Sequence, residues 1–444
     1  MNTVETDVLI LGAGPAGSAT ALMLQQRNPA IKITVVDHAD HQGIALGETL
    51  PPQIKALMEA IGLWEQFQAE GHLPAYRTQS VWGNDAPIEN EFLFQTSAKG
   101  WRIEKRRFNR FLTEAAASRG VGLMLGATTH FLGKEAGAFQ FQIESKAQET
   151  LWLQARFVVD ATGRAAWFAS KMGTNKVRFD NLVGTWRVYE DSTPASDGHT
   201  LVEAVENGWW YSTRLPDQKM ALAYMTDSDL LEKSSLETET WDGQLDQTKY
   251  TRSRVADHGS AENAMVVPAA TQCLDTLCGE GWIAVGDAAC TFDPLSSQGV
   301  FKAIKSGIFG AYAVSDYLSG NQGALTRHEW MLRDAFETYL ETRAKFYQQE
   351  QRWPAAEFWQ RRFEWITLSP DTPLIATKAA PQKISKTRYV ISEPEEAFIL
   401  SLCQTYKPAH TILEEFKHSP LRYKKPRNLI LGLQYLLGEN RLST

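Results

Sequence analysis

An apolar strand that runs into three closely spaced glycines and then into a helix is compatible with few folds, and this chain opens with one. Residues 7–11 read as a buried strand, Gly12, Gly14 and Gly17 follow, residues 18–27 are helix formers, and a second apolar strand at 33–36 ends in Asp37. In such a unit Gly12 permits a tight turn, Gly14 lets the backbone approach a pyrophosphate, and Gly17 lets the helix pack on the strand. With Pro15 and Ala16, these residues present the unpaired N–H groups of a helix start to a phosphate. Asp37 stands where a carboxylate reaches a ribose hydroxyl, with His38 beside it. A glycine-rich turn alone also arises for steric reasons. The flanking strands and the acid at the right distance favour a dinucleotide.

Two later segments decide which dinucleotide. Val158-Val-Asp-Ala-Thr-Gly163 and Ile283-Ala-Val-Gly-Asp-Ala-Ala289 are apolar strands ending in small-residue turns, and they bring Asp160, Gly163, Gly286 and Asp287 into play. The last segment continues as Phe292-Asp-Pro-Leu-Ser-Ser-Gln-Gly-Val300, ahead of an amphipathic helix at 301–318. A helix beginning near Gln298, Gly299 and Val300, after Pro294, aims its positive end at the pyrimidine edge of a flavin and stabilises the charge of the reduced ring. Asp287 is expected at the ribityl or phosphate region, the place of the matching aspartate in the flavoproteins that these segments resemble. The reading is FAD, bound non-covalently.

Composition agrees with an enzyme of this sort. The 444 residues allow two or three domains, and 43% hydrophobic residues can fill a sizeable core. The net charge of −7 comes with no basic run, so no nucleic acid is expected. Cys273, Cys278, Cys290 and Cys403 show neither metal-ligand spacing nor disulfide-like density, which points to a reducing compartment and no metal. Glu5 and Asp7 precede the first strand where a secretory signal would be basic. No segment approaches the length of a membrane span, so a cytoplasmic protein without stable membrane insertion is expected.

Between the FAD segments, residues 182–189, 199–205, 209–215 and 220–225 alternate as short strands and suggest an antiparallel layer over the flavin. Trp209, Trp210 and Tyr211 cluster on one strand, with Trp82 and Trp186 elsewhere in the layer, as candidate substrate contacts. Strand neighbours point to opposite faces, so at most half of such a cluster lines a pocket.

The three FAD segments, together with Gly47-Glu-Thr-Leu-Pro51 and Trp101-Arg-Ile-Glu-Lys-Arg-Arg-Phe-Asn-Arg-Phe-Leu112, resemble the flavoprotein superfamily of glutathione-reductase-like fold. That superfamily contains aromatic hydroxylases, flavin-dependent halogenases and geranylgeranyl reductases. The resemblance implies that Gly47, Glu48 and Thr49 form a flavin-contact loop and that Lys105 or Arg106 supplies a cofactor-contacting cation. Lys105 and Asn109 depart from the arginine and aspartate of the family pattern. Halogenases of the group carry a lysine after the GE loop and a glutamate before the flavin helix. Here Tyr76-Arg77-Thr78 and Ser296 occupy those places, and a W-x-W-x-I-P signature reads Tyr211-Ser-Thr-Arg-Leu-Pro216. An arginine remains charged and cannot exchange a proton as a lysine does, so hydroxylation is the expected chemistry.

Residues 339–365 read as an aromatic- and arginine-rich helical cap, and 393–403, 410–416 and 427–437 as three short helices that look like a small winged-helix docking unit. Through Ser80-Val-Trp-Gly83, Gly208-Trp-Trp-Tyr-Ser212, Asp293-Pro-Leu-Ser296, residues 352–362 and this terminal unit, nearly the whole chain resembles a narrower group. These are the flavoprotein monooxygenases that hydroxylate a tryptophan of a partner protein during tryptophylquinone cofactor biogenesis. The resemblance implies O2 and a protein substrate as partners, with NAD(P)H or a separate reductase as the electron source. Glu48 and Asp293 are candidate acid or base groups, and Arg77 a candidate electrostatic stabiliser.

The expected fold is α/β: a Rossmann-like FAD-binding domain (1–75, 101–170 and 262–330), an inserted antiparallel β substrate layer (76–100 and 171–261), a helical cap (331–385) and the winged-helix-like unit (386–444). A small-molecule hydroxylase or halogenase, and a non-catalytic flavoprotein maturation factor, are the rival readings.

Overall fold

The computed structural model describes residues 3–40, 47–91, 99–145, 148–190, 199–215, 218–231, 233–255, 264–363, 368–377 and 388–444. From the N-terminus, strand β1 (Thr3–Leu11) leads through the glycine turn into helix α1 (Pro15–Arg27) and strand β2 (Ile33–Val36). A short strand β3 (Gly47–Leu50), helix α2 (Lys105–Ser118), the long strand β4 (Gln148–Asp160) and strand β5 (Trp282–Ala284) follow, and then the helices α3 (Gly299–Leu318) and α4 (Gly323–Gln348). Strands β5, β4, β1 and β2 lie side by side and parallel, while the Ala127–Glu135 and Ala138–Ser145 hairpin joins β4 antiparallel. Val8, Leu9 and Ile10 are fully buried, as expected of a parallel strand covered on both faces.

Register explains why three distant sequence segments meet. Leu11 pairs with Asp160, and Asp160 pairs with Ala284, so the turns that follow β1, β4 and β5 leave the same sheet edge next to one another. Ligands of open α/β sheets bind at such carboxyl edges. Helix α3 packs on α1 behind that edge. A Cβ on Gly307 would come within 2.3 Å of the Ala16 carbonyl oxygen, so only glycine allows the approach.

A seven-stranded sheet forms the second layer, in the order Met265–Pro268, Leu182–Glu190, Lys219–Asp227, Gly208–Leu215, His199–Val205, Arg77–Val81 and Ile88–Glu91. It is not wholly antiparallel as expected, because the His199–Val205 and Arg77–Val81 strands run parallel. One face packs Trp82, Trp186 and Trp209 with Tyr347, Phe358 and Trp359, and the other packs Trp210, Tyr224 and Trp241.

The C-terminal unit has helices Glu393–Leu402, Ala409–Lys417 and Pro426–Gly438, and a small sheet of Lys407–Pro408, Pro373–Ala376 and Leu442–Ser443 around its own apolar core. Its central strand carries the buried Leu374, so this packing unit takes in residues upstream of the expected boundary at 386, a position that itself lies outside the described residues. A Ser392–Glu395 capping box starts the first helix. Buried Lys424 lies between Glu337 of α4 and Glu395, at 3.1 and 3.4 Å, and ties the unit to α4.

Cys273 and Cys290 face each other across paired strands and are joined as a disulfide, which the sparse cysteine pattern did not suggest. No helix among the described residues is long and apolar enough to cross a membrane.

Candidate functional site: a cradle at the sheet edge

Each glycine of the first turn has its own geometric reason. Gly12 adopts φ +106°, and a Cβ there would lie 2.2 Å from the Ala161 carbonyl oxygen; one on Gly17 would lie 1.9 Å from that of Gly12. Gly14 differs, with an ordinary φ of −72° and nothing within 4 Å of where its Cβ would be. Helix α1 begins here with Pro15 in its first turn and no side-chain cap, so its positive end faces open space. Asp37 braces the same loop: its Oδ2 accepts from the Ala13 N–H at 2.6 Å and its Oδ1 from that of Ala39 at 2.8 Å. The exposed ring of His38 lies 3.2 Å from Oδ1. On the far side, Gly286 has φ +62° and could not carry a side chain, because its Cβ would sit 2.6 Å from that of Ala16.

Alternating charges line the next stretch of the edge. Lys105, at the start of α2, binds Glu48 of β3 at 2.7 Å, and Lys302 of α3 binds Asp287 at 2.6 Å while also donating to the Cys290 carbonyl. Arg164 donates to the Ala270 carbonyl at 2.8 Å. The Glu48 carboxylate holds the Lys105 ammonium above its usual range. Burial disfavours ionised Asp287, but Lys302 and Arg164 together outweigh it and keep that carboxyl below the usual range. Burial dominates at Lys302 and lowers its ammonium despite Asp287. Glu48 reaches the start of α3, its Oε2 lying 3.7 Å from where a Gly299 Cβ would be. Gln298 is the N-cap of α3, without a side-chain hydrogen bond, and Val300 is buried behind it. Arg164 and Lys302 were not singled out from the sequence; a lysine in the apolar stretch of α3 was the available signal.

Several expected site residues also hold local structure. Both oxygens of buried Asp160 hold its own loop, accepting from the Thr162 N–H and hydroxyl and from the Ala169 N–H, while Gly163 makes the turn at φ +64°. Asp293 caps the short turn Pro294–Ser296 through Leu295 N–H and accepts from the Tyr347 hydroxyl at 2.7 Å. Arg77 lies toward solvent and pairs with Glu89 on the neighbouring strand. Arg106 uses its backbone N–H to take the Glu104 cap of α2.

The aromatic candidates divide by face. Trp82 donates to the Phe346 carbonyl and Trp209 to the Tyr347 hydroxyl, and both are core. Trp210 points the opposite way, edge-on to Trp241. Trp186 is buried on the Trp209 face. Tyr211 shares that face, and its hydroxyl bonds to the threonine cluster of Thr49, Thr200 and Thr213 near Glu48.

A model described as an FAD binding domain matches residues 5–323, well over half of the chain. This chain belongs to the FAD binding domain family. It is an FAD-dependent oxidoreductase. Over 82% of its length it is 26% identical to the protein LodB of Marinomonas mediterranea, of which 98% is covered. Among solved structures, the myxobacterial chondrochloren halogenase CndH matches with a TM-score of 0.72 at 20% identity, covering 82% of this chain and 87% of that one. The peptidyl tryptophan dihydroxylase QhpG, essential for tryptophylquinone cofactor biogenesis, matches with a TM-score of 0.67 at 22% identity, covering 86% and 85%. The residues present suit FAD: Gly14 and the uncapped α1 face open space where a diphosphate needs both, and Arg164 and Lys302 supply cations along the adjoining edge.

Proposed function

We propose that this chain is a cytoplasmic FAD-dependent monooxygenase that hydroxylates an aromatic side chain, tryptophan in a partner protein, during quinone cofactor biogenesis. Bound FAD supplies O2 activation. The turn at Gly14 and the start of α1 hold the pyrophosphate, Asp37 takes the ribose side, and Asp287 with Lys302 and Arg164 takes the ribityl and phosphate side. Lys105 binds Glu48 at 2.7 Å beside the start of α3. Glu48 is then the carboxylate placed to accept the proton lost from a hydroxylated ring carbon, and the Tyr211 hydroxyl lies close to it. The C-terminal unit, 386–444, docks the partner, and electrons come from NAD(P)H or a separate reductase.

The observation carrying this reading is the fate of the two halogenase positions. One is Arg77, tied to Glu89 on the solvent side, and the other is Ser296, whose hydroxyl is spent on the Asp293 carbonyl. The resemblance to QhpG over most of both chains supports a peptidyl substrate. The likeness to CndH favours halogenation as the second reading. Mass spectrometry of a co-expressed partner, after incubation with reductant, O2 and bromide, separates the two. An added oxygen mass on tryptophan supports hydroxylation, a bromine mass supports the second reading, and an unchanged mass with verified FAD reduction counts against both.

A further inference from the structure

Helix α4 lies behind the flavin-binding edge, and the sequence assigned it only a capping role. One stripe of it, Tyr339, Arg343 and Tyr347, is spaced by four residues and so faces a single direction. All three side chains converge on the turn that leads into α3. The Tyr347 hydroxyl donates to Asp293 Oδ2 at 2.7 Å, and Arg343 Nε lies 3.3 Å from the same oxygen. Arg343 also binds Asp180 at 2.8 Å, and the Tyr339 hydroxyl accepts the Asp293 N–H at 2.6 Å. The Tyr339 ring stacks on Phe292 with centroids 3.9 Å apart, and the Lys302 ammonium lies 4.7 Å from the Phe292 ring centre.

The turn needs outside support. Its internal hydrogen bonds run from the Leu295 amide to the Asp293 carboxylate, from the Ser296 amide and hydroxyl to the Asp293 carbonyl, from the Ser297 amide to the Pro294 carbonyl and from the Gln298 amide to the Ser296 hydroxyl, and Ser297 stands in the left-handed region at φ +50° without being glycine. Such a backbone persists where surrounding structure over-determines it. Burial, with the Asp293 carboxylate, pushes both phenols well above their ordinary range, so neither hydroxyl ionises at working pH.

We infer that Tyr347, Arg343 and Tyr339 are positioning residues: by clamping Asp293 they fix the turn Pro294–Ser296, and through it the placement of the α3 start at the cofactor edge. This holds whichever aromatic substrate the enzyme takes, since it concerns the flavin-free chain.

Hydrogen–deuterium exchange of the full-length, flavin-free protein tests it. Tyr347→Phe keeps the ring and removes the hydroxyl that donates to Asp293 and accepts from Trp209; the Leu295 and Ser297 amides should exchange at least about tenfold faster, the lower end of what one hydrogen bond to a charged group is worth. Arg343→Lys, which keeps the charge, should give a smaller rise at the same amides. Unchanged exchange at 293–299 in both variants overturns the inference. So does an equal acceleration in the distant hairpin Ala127–Ser145, which would mark general loosening instead of a released turn.

Discussion

Gly14 and Gly17 sit three residues apart in one turn and meet opposite constraints. A side chain at Gly17 would collide with the Gly12 carbonyl, whereas one at Gly14 would point into open space. Gly14→Val is therefore expected to fold with an unchanged melting temperature and to lose at least about tenfold in FAD affinity, because the added methyls occupy the room a pyrophosphate needs. Gly17→Ala is expected to fold poorly; thermal denaturation and flavin-fluorescence titration report the two outcomes separately. At the edge, Lys302→Met strips Asp287 of its nearest cation, and FAD affinity should fall by about tenfold in the same titration. Gly12 and Gly17 were legible in the sequence because a turn without room for a Cβ admits no other residue, and Gly14 because a close-lying pyrophosphate would leave a side chain no room. The aspartates were less so. An acid after a strand can reach outward, as Asp287 does, or hold its own loop, as Asp160 and Asp293 do, and composition near the turn is the same in each case.

Among elements, the strand Gly208–Leu215 divides its aromatics between two environments. Trp210 lies under Trp241 on the outer face, and Tyr211 stands over Thr49 and Glu48 on the inner one. Trp210→Phe should leave kcat/KM for the aromatic substrate unchanged, while Tyr211→Phe should lower it several-fold; parallel steady-state assays at matched flavin content decide. If Trp210→Phe is the more damaging, the assignment of faces to function is wrong. Period-two alternation along a strand makes this split legible in the sequence alone. The partner of each strand is not legible in the same way: His199–Val205 pairs in parallel with Arg77–Val81, more than a hundred residues away, and no local pattern encodes so distant a register. For the same reason the grip of α4 on the Asp293 turn left no trace in the sequence, since an Arg and two Tyr on a helix read equally well as surface and core.

For the molecule as a whole, two buried histidines set an acid limit. His72 and His328 are packed among apolar groups, and burial, aided at His72 by Arg107, lowers both to about 4. In the unfolded chain each imidazole takes up a proton below its ordinary value of 6.5. Between those limits the unfolded state binds more protons, so stability falls as pH drops, by roughly 2 kcal/mol per histidine at pH 5. Denaturant unfolding at pH 7 and pH 5 should show this loss, and His328→Leu should remove about half of it; an equal loss in that variant would refute the assignment. The C-terminal unit illustrates what whole-molecule context adds. Its helices were readable from apolar spacing, but the strand Pro373–Ala376 that completes it precedes the expected boundary at 386, and only packing around Leu374 reveals the membership. The register that aligns Leu11, Asp160 and Ala284 carries a consequence for biosynthesis. A nascent chain has no complete seat for its flavin until Gly286 and Gly299 have left the ribosome, by which time most of the polypeptide has been made. Yellow colour in a translation mixture should thus lag behind early folding and serve as a clock for its final stage.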